Sequence, residues 1–195
     1  MGKAVLSMSM SVDGFIAGPR DGPGNGLGDG GHRLHEWFLA DTDAGRPLTG
    51  ASRTVMDEAL STGAVVVGRR TFELAGGWEG DHHDGVPIFV LSRHRPDPAM
   101  QWPAVTYVPD VTAAVHAAKD AAGDKDVLVH GARTAQLALA AGVLDEVQIH
   151  LVPVLLGQGR RLFDDMPPDR VELELVRDGD GPGVQHLRYR VRAEG

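Results

Sequence analysis

Three short apolar runs in this sequence end in residues that could hold an anionic ligand. Those residues are Gly68-Arg69-Arg70-Thr71, Ser92-Arg93 and Gly131-Ala132-Arg133-Thr134. A glycine turn between a strand and a helix lets a ligand approach the backbone, where the helix N–H groups and dipole favour an anion. Arginine also matches a phosphate in geometry. Because the carboxyl ends of parallel strands meet at one sheet edge, the three segments together predict a nucleotide site. Each segment alone could be a turn that serves only chain geometry or solvation.

Three titratable residues are candidates for proton transfer: Asp13, Glu36 and His150. Asp13 follows the first predicted strand, where it could act on a substrate or only form the Asp-Gly turn. Glu36 lies on a short predicted helix and could point into a cleft or into water. His150 lies on the strand face opposite Val147 and Ile149. There it could donate a proton near neutral pH, or it could be a hydrogen-bonded structural residue.

The sequence disfavours metal and thiol chemistry. Asp81-His82-His83-Asp84 has the residue types of a metal site, but four adjacent loop residues need not converge on one ion. We therefore expect these side chains to be solvated and expect no metal. The chain has no cysteine, which excludes disulfides, thiol nucleophiles and thiolate metal sites.

The composition is that of a globular protein, with 42% hydrophobic and 24% charged residues among 195. A formal net charge of −8 without a basic patch argues against nucleic-acid binding. The N-terminus lacks a signal-peptide pattern and no run of about 18 apolar residues is present. We therefore expect a cytoplasmic protein with no membrane segment. Length and the lack of a linker predict one domain over residues 1–195.

Hydrophobic periodicity predicts the elements that position these residues. Strands are predicted over Lys3–Val12, Ala64–Val67, Val86–Leu91, Val105–Val108, Val127–Val129, Asp145–Pro153, Val171–Arg177 and Val184–Arg192. The last two form a hairpin with its turn over Asp178–Gly183. Helices are predicted over His32–Ala40 and Thr54–Leu60, between Asp110 and Gly123, and between Thr134 and Gly142. A further short helix is predicted after the turn at Gly68–Thr71 and ends at about Leu74. Strand–helix units thus come first and an antiparallel end follows, which predicts an α/β fold.

The segment Gly18–Gly31 is long and rich in glycine and proline. It lacks the spacing and the Lys-Ser/Thr ending of a phosphate-binding loop. It could be a flexible connection, or it could be a lid over the site, since lids are often drawn from such loops.

Several motifs, in one order, resemble the dihydrofolate-reductase-like superfamily, and within it the reductase domain of bacterial riboflavin biosynthesis with its stand-alone relatives. The motifs are Ser11–Ala17, Val67–Glu73, Val90–Arg93, Leu144–Glu146, Pro153–Gly159 and Leu162–Phe163. The resemblance covers nearly the whole chain. It implies a mixed, mostly parallel eight-stranded sheet flanked by helices, with antiparallel C-terminal strands.

The resemblance also implies NADPH as the cofactor. By motif match, Gly68–Thr71 would hold cofactor phosphates and Gly131–Thr134 would cradle the pyrophosphate. Ser92-Arg93 would meet the adenosine 2′-phosphate, and Ile16 with Ala17 would border the nicotinamide. Relatives often pair through the antiparallel end, whose edge needs covering, so we expect a homodimer.

The expected activity is NADPH-dependent hydride transfer to a C=N or C=O bond of a small polar or heterocyclic substrate that is pterin- or riboflavin-precursor-like. The alternative is a non-catalytic nucleotide- or flavin-binding module that keeps the fold. Two positions depart from the family. The central turn has His130-Gly131-Ala132 where relatives often have a double glycine. Leu34 stands where folate reductases carry an acid before Trp37-Phe38, which disfavours folate reduction. No zinc-deaminase motif is present.

Overall fold

The computed structural model describes residues 2–39, 47–94, 97–166 and 170–192. Its strands are β1 (Ala4–Ser11), β2 (Phe15–Ala17), β3 (Ala64–Gly68), β4 (Ile88–Leu91), β5 (Val105–Val108), β6 (Val127–His130), β7 (Glu146–Val152), β8 (Arg160–Arg161), β9 (Leu173–Gly181) and β10 (Val184–Val191). Its α-helices are α1 (Gly50–Leu60), α2 (Arg69–Leu74), α3 (Val111–Ala122) and α4 (Ala132–Ala140). Short 3₁₀ turns cover Gly31–His35, Gly76–Gly80 and Pro98–Met100, and the first continues into helical residues 36–39.

One sheet confirms the expected fold. Eight strands lie in the order β5-β4-β3-β6-β1-β7-β10-β9. All neighbours from β5 to β7 are parallel, whereas β10 pairs antiparallel with both β7 and β9. Strands β2 and β8 form a separate small antiparallel pair. The mixed sheet therefore ends in the antiparallel hairpin that the sequence predicts.

The centre of the sheet is covered on both faces, which explains its continuous apolar runs. On β3, Ala64 and Val66 face a core cluster that includes α3 and α4, whereas Val65 and Val67 face a second cluster around Phe72. All four β3 side chains are fully buried. Periodicity alone cannot assign such a run, but its short length and the glycine that ends it favour a strand.

The strands β1 and β7 differ because one of their faces is polar. Leu6 on β1 and Ile149 on β7 point into the main core. The opposite face carries Ser7, Ser9 and His150, all of them buried. Burial of polar groups is costly unless they are hydrogen-bonded. This face therefore needs partners, and it forms one wall of the site described below.

The hairpin turn is shorter than predicted. Strand β9 continues to Gly181, so most of Asp178–Gly183 is strand. Gly179 and Gly181 do not mark the turn, which lies at Pro182-Gly183; they let α1 pack on the strand. A Cβ at Gly179 would lie 2.7 Å from Ala51 Cβ, and one at Gly181 would lie 2.1 Å from Ser52 Oγ.

Two helix boundaries also differ from the prediction. Helix α1 begins at Gly50 rather than Thr54. The segment predicted as a helix over His32–Ala40 starts as a 3₁₀ turn, and Ala40 lies outside the described residues. No helix in the described ranges is both long and apolar enough to cross a membrane.

Strand β9 is an edge of the sheet and exposes apolar side chains. Leu173, Leu175 and Val176 are 41%, 52% and 38% exposed. Because an apolar open edge favours pairing with another strand, we propose that a second copy of the chain covers it. Light scattering at micromolar concentration should give twice the chain mass.

A substitution on the proposed interface gives a sharper test. Leu175→Glu should shift the protein toward the monomer. Leu155→Glu is the matched control, because Leu155 is 72% exposed and lies in a loop outside β9. A monomeric wild-type protein would refute the pairing.

Candidate functional site

A cleft of about 880 Å³ opens at the carboxyl ends of the parallel strands, where ligands of open α/β sheets bind. Strands β3, β4 and β6 end in its wall, and Asp21 and Leu27 of the Gly18–Gly31 segment line the facing side. The twelve residues expected to bind the cofactor all line this cleft: Ile16, Ala17, Gly68, Arg69, Arg70, Thr71, Ser92, Arg93, Gly131, Ala132, Arg133 and Thr134.

The two glycine turns interlock. Gly131 has φ 94° and ψ 143°, a conformation that side chains disfavour. A Cβ at Gly131 would lie 2.7 Å from Thr71 Oγ1, and a Cβ at Gly68 would lie 2.9 Å from Thr134 Oγ1. Glycine at both positions therefore lets β3 and β6 present their turns side by side. The start of α4, which has no side-chain cap, then faces the cleft with its first backbone N–H groups.

Thr134 provides a second sign of a ligand. Its side chain is fully buried, and its Oγ1 has no hydrogen-bond partner among the residues that the structure describes. Leaving a buried hydroxyl unpaired costs about 1–3 kcal/mol. The hydroxyl lies against Gly68 at the wall of the cleft, where an anionic oxygen could accept its proton. The cradle formed by Gly68, Gly131, Thr134 and the start of α4 thus fits a phosphate or pyrophosphate.

The arginines of the cleft differ in how they are held. Arg69 pairs with Glu73, and Arg70 hydrogen-bonds Asp21 through Nε at 3.1 Å. Arg160 also binds Asp21, at 3.0 Å. Burial opposes ionisation of Asp21, but the two arginines prevail and lower its pKa. The Gly18–Gly31 segment is therefore tied, through one carboxylate, to the side of the cleft that carries Arg70 and Arg160.

At the β4 end, Arg93 is exposed and makes no ion pair within the described ranges. Ser92 Oγ is engaged in its own turn, since it donates to the His94 carbonyl and accepts from the His94 N–H, both at 3.1 Å. Asp110 lines the same end and caps α3 by accepting from Ala113 N at 2.9 Å. The sequence indicated only that a helix begins after Asp110, not the place of Asp110 in the cleft.

The other end of the cleft is neutral and partly aromatic. Its lining residues include Ser7, Ser9, Trp37, Phe38, Met56 and His150. Trp37 is buried and donates from Nε1 to Ser9 Oγ at 2.9 Å. Since indole is only a donor, Ser9 must accept here, which leaves the Ser9 hydroxyl proton for another acceptor. The alternating serines of β1 were the available sequence signal for this wall.

His150 lines the cleft in a hydrogen-bonded arrangement. Its Nε2 lies 3.0 Å from Ser7 Oγ and its Nδ1 lies 2.8 Å from His186 Nδ1. Burial, and then the neighbouring His186, lower the pKa of His150 to about 3. The imidazole is therefore neutral at pH 7 and acts there as a hydrogen-bonding group, not as a cationic proton donor.

The other two candidates for proton transfer do not line the cleft. Asp13 accepts from Ser11 Oγ at 2.6 Å and from Gly157 N at 2.7 Å, which ties the Asp13-Gly14 turn to a loop. The hydrogen bond from Ser11 is the main reason that the pKa of Asp13 falls to about 2. Glu36 is exposed and pairs with Arg33 at 3.3 Å.

The prediction of solvated histidines in Asp81–Asp84 is wrong. His83 is buried, with its Nε2 3.2 Å from Thr62 Oγ1, and His82 lines the cleft with its ring 4.6 Å from that of Trp78. A tight turn with positive φ at Gly77, Trp78 and Glu79 folds this loop back onto the sheet. No group of three potential metal ligands is found in the described part of the chain.

The RibD C-terminal domain family matches residues 3–180. A Shewanella sp. PV-4 protein assigned to riboflavin biosynthesis superposes with a TM-score of 0.69 at 21% identity, over 99% of this chain and 100% of that one. No curated protein matches the chain.

Two longer structures share the fold at lower identity. RibD of Acinetobacter baumannii gives a TM-score of 0.65 at 16% identity, over 99% of this chain and 59% of that one. The Thermotoga maritima diaminohydroxyphosphoribosylaminopyrimidine deaminase/5-amino-6-(5-phosphoribosylamino)uracil reductase gives 0.62 at 14% identity, over 98% and 57%. This chain spans little more than half the length of these two relatives.

Proposed function

This chain belongs to the RibD C-terminal domain family, and we propose that it is an NADPH-dependent reductase of a C=N or C=O bond in a small heterocyclic compound. The observation that carries the proposal is the cradle at the start of α4. There Gly131, Gly68 and the unpaired Thr134 hydroxyl leave room and donors for an anion. The fold implied by the family supports the dinucleotide as that anion.

The residues that line the cleft support a place for each part of such a cofactor. Gly131–Thr134 would bind the pyrophosphate through backbone N–H groups, and Arg93 would meet a phosphate at the β4 end. Ile16 and Ala17, both buried, would border the nicotinamide. The reduced nicotinamide supplies a hydride when bound, and the protein supplies orientation.

The neutral end would hold the substrate. The Ser9 hydroxyl, which already accepts from Trp37, has a proton to offer a carbonyl oxygen or ring nitrogen. Trp37 and Phe38 offer apolar surface to a flat ring and exclude water. With His150 neutral and Asp13 outside the cleft, the serine hydroxyls are the chain's own groups placed to stabilise charge that develops on the reduced atom.

NADPH oxidation against a panel of pterins, pyrimidines and small carbonyl compounds tests the activity. Calorimetric titration of NADPH tests binding separately. Turnover of a panel member supports the reductase. Tight cofactor binding without any turnover supports the non-catalytic module instead. Failure to bind NADPH contradicts the reductase and leaves only a module that binds a flavin or another nucleotide.

Arg93 is expected to read the adenosine 2′-phosphate, which adds about two negative charges near neutral pH. A charge-assisted hydrogen bond contributes about 1.5–3 kcal/mol. Arg93→Ala should therefore weaken NADPH about ten- to hundred-fold and NADH little. Titration of both cofactors into both proteins measures the difference. Equal weakening would show that Arg93 does not read the 2′-phosphate, and equal affinities in the wild type would contradict NADPH preference.

Asp110→Asn is the matched variant for this end of the cleft. Asparagine caps a helix about as well as aspartate, so α3 should keep its cap. Removing the carboxylate near Arg93 should leave NADPH affinity unchanged or raise it. A loss of NADPH affinity would instead assign Asp110 to the ribose hydroxyls, as in NAD-specific sites of other folds.

A further inference from the structure

A buried hydrogen-bonded chain runs from the cleft to helix α1. Ser7 Oγ lies 3.0 Å from His150 Nε2, His150 Nδ1 lies 2.8 Å from His186 Nδ1, and His186 Nε2 lies 2.9 Å from Ser52 Oγ. All four side chains are buried. Only Ser7 and His150 line the cleft, so His186 and Ser52 form the far half of the chain.

The contact between the two rings restricts their protonation. Burial lowers the pKa of His150 to about 3 and that of His186 to about 4, so both rings are neutral at pH 7. A neutral imidazole has one N–H donor and one acceptor nitrogen. Two Nδ1 atoms at 2.8 Å must therefore be one donor and one acceptor, and the two rings must be opposite tautomers.

The tautomer of His150 decides what Ser7 offers a ligand. If His150 carries its proton on Nε2, Ser7 accepts that bond and keeps its own proton for the cleft. If His150 carries its proton on Nδ1, Ser7 must donate to Nε2 and presents only lone pairs. The choice is made jointly with His186, because the two rings share one hydrogen bond.

We propose that His186 is a positioning residue: through this chain it fixes the tautomer of His150 and thereby decides whether the Ser7 hydroxyl donates to or accepts from the substrate. The inference rests on the proposed function only in placing a substrate against Ser7. The same chemistry would order any ligand that hydrogen-bonds at this end of the cleft.

The surroundings hold the chain in place. The Trp37 ring lies 4.8 Å from the His150 ring and 4.9 Å from the His186 ring, so it contacts both. A Cβ at Gly181 would lie 2.1 Å from Ser52 Oγ and 3.2 Å from His186 Nε2, so only glycine leaves room there. Helix α1, which carries Ser52, is fixed by the ion pair of Glu58 with Arg177 at 2.5 Å.

Nitrogen-15 NMR of histidine-labelled, ligand-free protein tests the proposal directly, because ring nitrogen shifts distinguish the two tautomers. At pH 7 the two rings should be neutral and opposite, one Nδ1–H and one Nε2–H. In His186→Phe, and in the milder Ser52→Ala, the His150 signals should move toward a mixture of tautomers. His116→Phe, at an exposed position on α3, should leave them unchanged.

The functional test measures KM and kcat separately for each variant. Loss of one oriented hydrogen bond should raise KM for a turned-over substrate up to about tenfold in His186→Phe. Two rings in the same tautomer, a charged ring at pH 7, or His150 signals that stay fixed in both variants would overturn the proposal. Opposite tautomers in a protein that turns over no substrate would support the hydrogen-bonded chain of side chains and would contradict the reductase assignment.

Discussion

Acidification from pH 7 to pH 5 is expected to destabilise the folded protein strongly. Five described histidines have pKa values well below the ordinary 6.5, chiefly because they are buried: His35, His130 and His186 at about 4, and His82 and His150 at about 3. In the unfolded chain these rings bind protons near pH 6.5. In the folded protein they stay neutral.

The sign of the effect follows from linkage. A histidine whose folded pKa is depressed binds more protons in the unfolded state, so the free energy of unfolding rises with pH. The contribution of such a histidine to the free energy of unfolding is complete above about pH 6.5 and is lost as pH falls toward 4. For the deeply buried His130, whose pKa falls from 6.5 to about 4, the full loss is about 3 kcal/mol. Several such residues together rival a total stability of about 5–15 kcal/mol.

Urea denaturation at pH 8, 7, 6 and 5 measures the effect. His35→Phe should flatten the pH dependence, because it removes one titrating ring whose Nδ1 is buried without a partner among the described residues. His116→Gln, on the exposed surface of α3, is the control and should change nothing. A free energy of unfolding at pH 5 equal to that at pH 7 would contradict the prediction.

Gly131→Ala is expected to disable the cradle. The backbone at φ 94° and ψ 143° lies near a region that only glycine occupies readily, and the new Cβ would meet Thr71 Oγ1 at 2.7 Å. Strain of this kind costs about 3 kcal/mol, which lowers Tm by about 6–12 °C in a protein of this size. Displacement of the α4 N-terminus should also reduce NADPH affinity more than tenfold.

Gly142→Ala is the matched control at the other end of α4. Gly142 also has a positive φ, 65°, but a Cβ there would meet nothing within 4 Å. Its substitution should cost about 1 kcal/mol and leave cofactor affinity intact. Thermal melts and NADPH titrations of both variants make the comparison. Equal effects of the two substitutions on NADPH binding would show that Gly131 is not part of the cofactor site.

Much of the fold could be predicted from the sequence because local patterns report it. The run Val65–Val67 follows from an apolar core on both faces of β3. The alternation in β1 and β7 follows from one apolar face and one buried polar face. The glycines at positions 68 and 131 mark strand–helix turns in the sequence, although the contacts that require glycine there, with Thr134 and Thr71, come from the opposite turn. The motif order also indicated the family, and with it the mixed sheet.

Predictions from the sequence were wrong where one residue type can serve two structural roles. The glycines of Asp178–Gly181 looked like a turn, but they serve the packing of α1 on β9. His82 and His83 were predicted to be solvated because they are adjacent loop residues that need not converge, yet a turn with positive φ carries them inward. Such outcomes depend on what packs against a residue, which local sequence does not encode.

The sequence by itself determined the layered α/β fold and the residues that line the cleft at the ends of β3, β4 and β6, since each follows from a local pattern at a strand end. Only the tertiary structure decided which side chains meet at the neutral end of the cleft. His150 and His186 are 36 positions apart, and their rings meet because β7 and β10 pair antiparallel with these residues in register. Ser7 joins them because β1 lies beside β7. Long-range strand pairing and the burial it imposes set the chemistry of these side chains.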